Sequence, residues 1–217
     1  MRRLAAEFVG TALLLCAVVG SGIFAEEITQ DAGIRLIINA TSIGLALGVL
    51  IWWFGAISGA HFNPVVTIAA ALRRELPIGE AAGFIGAQVL GAIAGAVASN
   101  AMFNLTALQT STRERLTTGT FVSEILATAC LIAIISALGS RGQGNLAPVV
   151  VGAWITSAIY FTSSTTFANP AVTIARIFTD TMTGINPSSA AGFVAAQLIG
   201  LPVGLLFAKL FSEARNS

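Results

Sequence analysis

Two Asn-Pro pairs, Asn63-Pro64 and Asn169-Pro170, carry the most specific chemistry in the chain. Asparagine caps a helix N-terminus with its side-chain oxygen. Proline suits the first helical position because its missing N–H would have had no partner there. Each pair therefore opens a helix. The apolar pieces that follow, about 64–72 and 170–178, are too short to cross a bilayer, which takes about 20 residues. A short apolar helix broken at proline, in corresponding places of two halves, points to a re-entrant half-helix at a conduction or binding site. Each half-helix directs roughly half a positive charge toward its start. The Asn63 and Asn169 amides can then donate to a passing oxygen, while a cation or proton meets two positive helix ends. Such a pore favours neutral hydroxylated solutes in single file.

The pairs sit inside an internal repeat. Asn63-Pro64-Val65-Val66-Thr67-Ile68-Ala69 recurs as Asn169-Pro170-Ala171-Val172-Thr173-Ile174-Ala175, 106 residues on. Ala81-Ala82-Gly83-Phe84 through Gln88 recurs as Ala190-Ala191-Gly192-Phe193 through Gln197, at an offset of 109. Glu7-Phe8-Val9-Gly10-Thr11 has a looser partner in Glu124-Ile125-Leu126-Ala127-Thr128. A charge at bilayer depth costs at least about 2.5–3.5 kcal/mol. The exposed N–H groups of a re-entrant loop would satisfy Glu7 and Glu124, so a scaffold role is preferred to proton relay. Gln88 and Gln197 are assigned the same role. Gly83, Gly91, Gly192 and Gly200 read as close helix–helix contacts.

The elements that must position these groups are membrane spans. The chain has 217 residues, 55% hydrophobic and only 10% charged, against about 25% charged in a soluble domain. Apolar runs lie at about 5–25, 33–54, 79–103, 120–139, 146–162 and 190–211. The expected fold is all-α: six transmembrane helices and two re-entrant half-helices in one channel domain spanning 1–217. Three spans per repeat make the copies, about 1–108 and 116–217, inverted, so the half-helices enter from opposite faces and meet at mid-membrane. With the N-terminus inside, Arg2, Arg3, Arg73, Arg74, Arg141, Lys209 and Arg215 are cytoplasmic, while Arg35, Arg113 and Arg115 are external. Seven against three obeys the positive-inside rule and puts both termini in the cytoplasm. Met1-Arg2-Arg3 and the following apolar run suggest a signal peptide, but Glu7 and the lack of a cleavage site favour a first span. Cys16 and Cys130 lie in apolar runs and read as packing residues.

At this point the resemblance to a known family is plain. Ser58-Gly59-Ala60-His61-Phe62-Asn63-Pro64-Val65-Val66-Thr67 resembles the first signature of the major intrinsic proteins, the aquaporins and aquaglyceroporins; Phe167-Ala168-Asn169-Pro170-Ala171 resembles the second. Glu7 and Glu124 match glutamates that hold the re-entrant loops in that family. The resemblance implies a homotetramer with one pore per subunit in the cell's inner (plasma) membrane, and His61 lining the cytoplasmic side of the pore. A packed, buried histidine is the alternative.

The chain departs from the family pattern in two places. The first motif has Val65 instead of alanine, a change of small expected effect. More consequential is Val172, which stands where water-selective members carry an arginine at the outer constriction. With the family's positions as a guide, the rest of that ring falls on Ile43, Ser157 and Thr166. The ring then has no fixed charge and no aromatic side chain, and should be wider and more apolar than a water filter. Val172 resembles bacterial aquaglyceroporins associated with arsenic-resistance genes, which implies arsenite as the neutral acid, methylated arsenicals and glycerol-like polyols as solutes. Arg176, one turn beyond Val172, either places a positive charge in the outer vestibule or pairs with Asp180, four residues on.

A passive channel for small neutral solutes and water is thus expected. The alternatives are a water-selective aquaporin with an unusual filter, a coupled secondary transporter, and a purely structural or adhesive membrane protein. No nucleophile–base pair, metal-ligand cluster or phosphate loop appears in the sequence, so no enzyme activity, metal or cofactor is expected. The net charge of +1 gives no reason to expect a nucleic-acid partner.

Overall fold

Hydrocarbon offers no partner to an exposed peptide group, so long uncharged runs satisfy their own backbone as helices. The computed structural model describes residues 1–211, and Arg215 lies outside them. Among the described residues six helical segments are long and apolar enough to span: α1 (Arg2–Ile28), α2 (Ala32–Ser58), α4 (Ile78–Met102), α5 (Thr118–Ser140), α6 (Ala147–Phe161) together with the 3-10 turn Gly144–Leu146 before it, and α8 (Pro187–Phe211). Two short ones, α3 (Pro64–Leu72) and α7 (Pro170–Ala175), start at the Asn-Pro pairs. The second short run does not stay α-helical to 178: it ends in a 3-10 turn over Arg176–Phe178. Cys16–Gly20 within α1 is π-helical. Among the described residues there is no strand.

Local chemistry sets the ends. Asp31 caps α2 by accepting from the Ile34 N–H, and Gly59 ends that helix at a φ of 94°, where a side chain would be strained. Thr117 and Thr120 form a reciprocal capping box at the start of α5. The α1–α4 and α5–α8 pairs then pack backbone against backbone. A Cβ on Gly91 would lie 2.2 Å from the Phe8 carbonyl oxygen, and one on Gly200 would lie 2.7 Å from that of Ile125. Gly95 against Ala12 and Gly204 against Ala129 repeat the arrangement one turn on. The third close pair, α2–α6, crosses at Gly44 and Gly152.

The outward faces are apolar: Leu45, Val49 and Trp52 on α2, Leu90 on α4, Val149 on α6 and Leu210 on α8 are all exposed. Such faces suit lipid. Cys16 and Cys130 are half-buried free thiols; Cys16 approaches the Gly95 carbonyl at 3.6 Å.

Candidate functional site: a channel between two re-entrant loops

Each half-helix begins as its capping asparagine dictates. The Asn63 side-chain oxygen accepts from the Val65 N–H, and that of Asn169 accepts from the Ala171 and Val172 N–H groups. The amide nitrogens cross between the loops: Asn63 donates to the Ala168 carbonyl and Asn169 to the Phe62 carbonyl, both at 2.8 Å. Each amide has a second N–H to offer a solute. Pro64 and Pro170 occupy the first helical position, and Val65 and Ala171 are fully buried behind the asparagines.

The loops that precede the asparagines carry unusual backbone. Ala60 and Phe62 on one side, and Thr166 and Ala168 on the other, have positive φ, a conformation that costs non-glycine residues of order 1–2 kcal/mol each. Two buried carboxylates hold it. Glu7 accepts from the Ser58 hydroxyl, the His61 and Phe62 N–H groups and the Gln88 amide, at 2.5–3.0 Å. Glu124 accepts from the corresponding Ser164, Phe167, Ala168 and Gln197, at 2.7–2.9 Å. Both glutamates are 0% exposed. Four donors each compensate their loss of water. With every carboxylate oxygen engaged, these groups act as clamps on the loops. Gln88 and Gln197 also donate to Thr67 and Thr173 on the half-helices, at 2.8 Å. Ser58, Ser164, Thr67 and Thr173 were not singled out from the sequence, although the 106-residue offset relates them pairwise and was a usable signal.

Between the loops lies a cavity of about 200 Å³. Asn63, Asn169, His61, Ile43, Thr166, Val172 and Arg176 all line it. His61 rests its Nδ1 3.1 Å from the Thr67 hydroxyl, and its ring lies edge-on to Phe84 at 5.5 Å. Among the described residues no N–H or hydroxyl donates to the carbonyls of Ala60, His61, Thr166 or Phe167, so these lining residues keep acceptor capacity beside the asparagine donors. The rest of the wall is largely apolar, with Val66, Leu131 and Val151 among it.

Two sequence expectations are corrected. Ser157 does not join Ile43, Thr166 and Val172. It is exposed and lines a lateral groove with Thr41, Trp52 and Tyr160. The face of α6 toward the cavity is Ala147, Val151 and Ile155. At about 100° per residue, Ser157 stands roughly 200° around the helix from Ile155. Arg176 also does not pair with Asp180. The helix stops at Ala175 and the backbone is extended by Thr179, so the four-residue relation on one face is lost. Asp180 instead accepts from the Thr112 N–H at 2.9 Å, while the Arg176 Nε donates to the Thr183 carbonyl. Phe167 was missed as a support: the Arg176 guanidinium lies 3.4 Å from its ring centroid and that of Arg115 5.6 Å. Burial, reinforced by the charge of Arg113, pushes Arg115 down to about 10, which leaves it a cation at neutral pH.

Known proteins bear on this geometry. The profile for "Major intrinsic protein" matches residues 1–168. Aquaglyceroporin AqpS of Rhizobium meliloti is 45% identical over 199 residues, covering 92% of this chain and 85% of its own. Aquaporin NIP3-1 of Arabidopsis thaliana is 33% identical over 79% of this chain, which spans 56% of that plant protein. The X-ray structure of the aquaglyceroporin from Plasmodium falciparum superposes with a TM-score of 0.72 over 97% of this chain and 94% of that one; at 22% identity this speaks to the fold alone. By sequence and by fold, the chain belongs to the major intrinsic protein family, and is a membrane channel for small solutes and water, not an enzyme.

Proposed function

We propose that this channel passes neutral solutes larger than water: arsenous acid, methylated arsenicals and glycerol-like polyols, together with water. The observation that carries the reading is Val172, a neutral side chain, 5% exposed, on the cavity wall where water-selective relatives place an arginine. Ile43, Thr166 and Ile155 line the same cavity, and with Val172 they make up the proposed constriction, Ile155 taking the place expected of Ser157. A ring of three branched apolar side chains and one hydroxyl has no rigid donor fork to select water. The Thr166 hydroxyl lies 2.7 Å from that of Thr162, which fixes its orientation at the wall. Asn63 and Asn169 act as donors at the centre, Glu7, Glu124, Gln88 and Gln197 hold the loops, and His61 lines the inner half. The name of the Rhizobium relative, an aquaglyceroporin, supports the same solute class.

The channel works as a homotetramer in the inner membrane, each subunit conducting, with both termini cytoplasmic. The seven-to-three basic asymmetry and the apolar outer faces support this arrangement. Crosslinking in mild detergent that stopped at dimers would count against it. A coupled transporter is the competing reading, and saturable, gradient-driven uptake would favour it.

The test is stopped-flow light scattering on proteoliposomes with water, glycerol and arsenite in turn. Val172→Arg should lower glycerol and arsenite flux by about ten-fold or more, roughly 1.4 kcal/mol of barrier, and leave water flux comparatively intact. An arginine there needs acceptors from the carbonyls around 164–166, so folded yield is measured alongside. A well-folded Val172→Arg channel that passes the larger solutes as fast as the parent overturns the assignment.

A further inference from the structure

We infer that Arg176 forms a binding subsite for small oxyanions at the outer mouth of the channel. The repeat makes the residue conspicuous. Val66 and Val172 are equivalent at the 106-residue offset, and both line the cavity. One turn further, the inner half-helix presents Ala70 to the cavity and the outer one presents Arg176. At this position of the repeat the inner half therefore has no cation.

The guanidinium is held but not neutralised. The residue is 5% exposed. Its Nε donates to the Thr183 carbonyl, and its plane rests on Phe167. Among the described residues, neither Nη nitrogen has an acceptor and no carboxylate pairs with the group, so four of its five N–H donors are unspent. The nearby acids are committed elsewhere. Glu124 is filled by four donors, Asp180 accepts from Thr112, and Glu26 accepts from the Met182 N–H. Arg115, on the same aromatic ring, adds a second positive charge, but spends its Nε and one Nη on the Gly184 and Met182 carbonyls at 2.6 and 2.5 Å. The cation at the inner mouth differs: Arg73 meets Glu75 with two bonds, at 3.0 and 2.8 Å. Of the two arginines that line the cavity among the described residues, Arg176 is thus the one with an uncompensated fork of parallel donors.

Such a fork is complementary to two oxygens of one oxyanion, a match that neither a monatomic anion nor a single hydroxyl reproduces. Deeper in, the wall at Val172, Ile43 and Ile155 is apolar and resists a bare charge. The anion therefore docks at Arg176 and obstructs neutral solutes arriving from outside. This inference rests on the channel reading above only for the obstruction; binding itself requires no conduction.

The test uses nitrate, planar and ionised at every working pH. Calorimetric titration of the purified channel in detergent, at constant ionic strength with chloride as the balancing anion, should show saturable nitrate binding. Arg176→Gln should weaken it about ten-fold, and Arg176→Lys, which keeps the charge but loses the fork, should weaken it less. Because Arg176→Gln could misfold the outer loop, the parent is also measured by side. Nitrate outside right-side-out vesicles should slow water flux, and nitrate at the cytoplasmic face of inverted vesicles should not. Absence of saturable nitrate binding over chloride, unchanged affinity in a well-folded Arg176→Gln, or equal obstruction from both faces overturns the subsite. A parent that binds nitrate but passes no glycerol or arsenite overturns the proposed solute class instead.

Discussion

A single residue's role in this channel depends on which way its helix turns it. Ile155 and Ser157 are two positions apart on α6, yet one faces the cavity and the other the lateral groove. Trimming Ile155→Ala removes branched bulk from the cavity wall, at the proposed constriction, and should raise glycerol flux several-fold, whereas Ser157→Ala should leave it within error. Paired flux measurements on the two variants check this, and the reverse pattern would return Ser157 to the constriction. The glutamates illustrate the same dependence. A carboxylate in hydrocarbon is costly alone, but Glu7 and Glu124 each collect four donors, two of them backbone N–H groups freed by positive-φ turns. The strain of the loops and the charge of the clamp are tolerable only together.

At the scale of elements, the spans are held by close approach of backbone, because lipid gives little hydrophobic drive for one helix to bind another. Gly91 and Gly204 mark the contacts α1–α4 and α5–α8. An added Cβ would sit 2.2 Å from the Phe8 oxygen in the first case and 2.4 Å from the Ala129 oxygen in the second. Backbone cannot swing aside as a side chain does, so Gly91→Ala or Gly204→Ala should cost about 1–3 kcal/mol. Gly86 and Gly139 have open space at the same position, and alanine there should be neutral or slightly stabilising. Thermal denaturation in detergent, followed by loss of monodisperse protein, separates the two classes. Equal midpoints for Gly86→Ala and Gly91→Ala would show that the contact does not carry stability.

At the scale of the whole molecule, the two halves are joined across the face that carries the loop after α7. The connector between them lies against the loop after α7: the Ser111 N–H reaches the Ile177 carbonyl at 2.8 Å and the Asn186 N–H reaches that of Arg113 at 2.8 Å. Asp180 fastens the middle of this seam. The Thr112 N–H holds its carboxyl below the usual carboxylate range; burial is the next largest effect and opposes this, and the Thr112 and Ser111 hydroxyls and the charge of Arg113 lower it further. A carboxyl lowered on folding stabilises the seam at pH above its ordinary value of about 4. That contribution is lost as pH falls through the lowered value. Hydrogen exchange at the Thr112 amide should therefore quicken below about pH 4 beyond the intrinsic chemical trend. Asp180→Asn should remove that dependence. A parent amide whose protection is flat through the acid range would exclude the clip.

Much of this architecture was readable from composition and spacing. Hydrocarbon leaves an uncharged run of about 20 residues no choice but helix, so six spans follow from where charges are absent. A doubled Asn-Pro before a run too short to cross gives two half-helices. Glu7 and Glu124 were legible as loop clamps because a buried charge must find donors, and the re-entrant turns are where free N–H groups occur. The lining of the cavity was less legible. Whether α6 offers Ile155 or Ser157 is set by helix rotation, which the α2–α6 crossing at Gly44 and Gly152 fixes through contacts far apart in sequence. The fate of Arg176 depends on where the chain goes after Ala175: an unbroken helix would have brought Asp180 beneath it, while the extended turn at Thr179 carries Asp180 to Thr112 and leaves the guanidinium on Phe167 at the channel wall. Local rules specify which groups must be satisfied; the path of the folded chain decides which neighbours satisfy them.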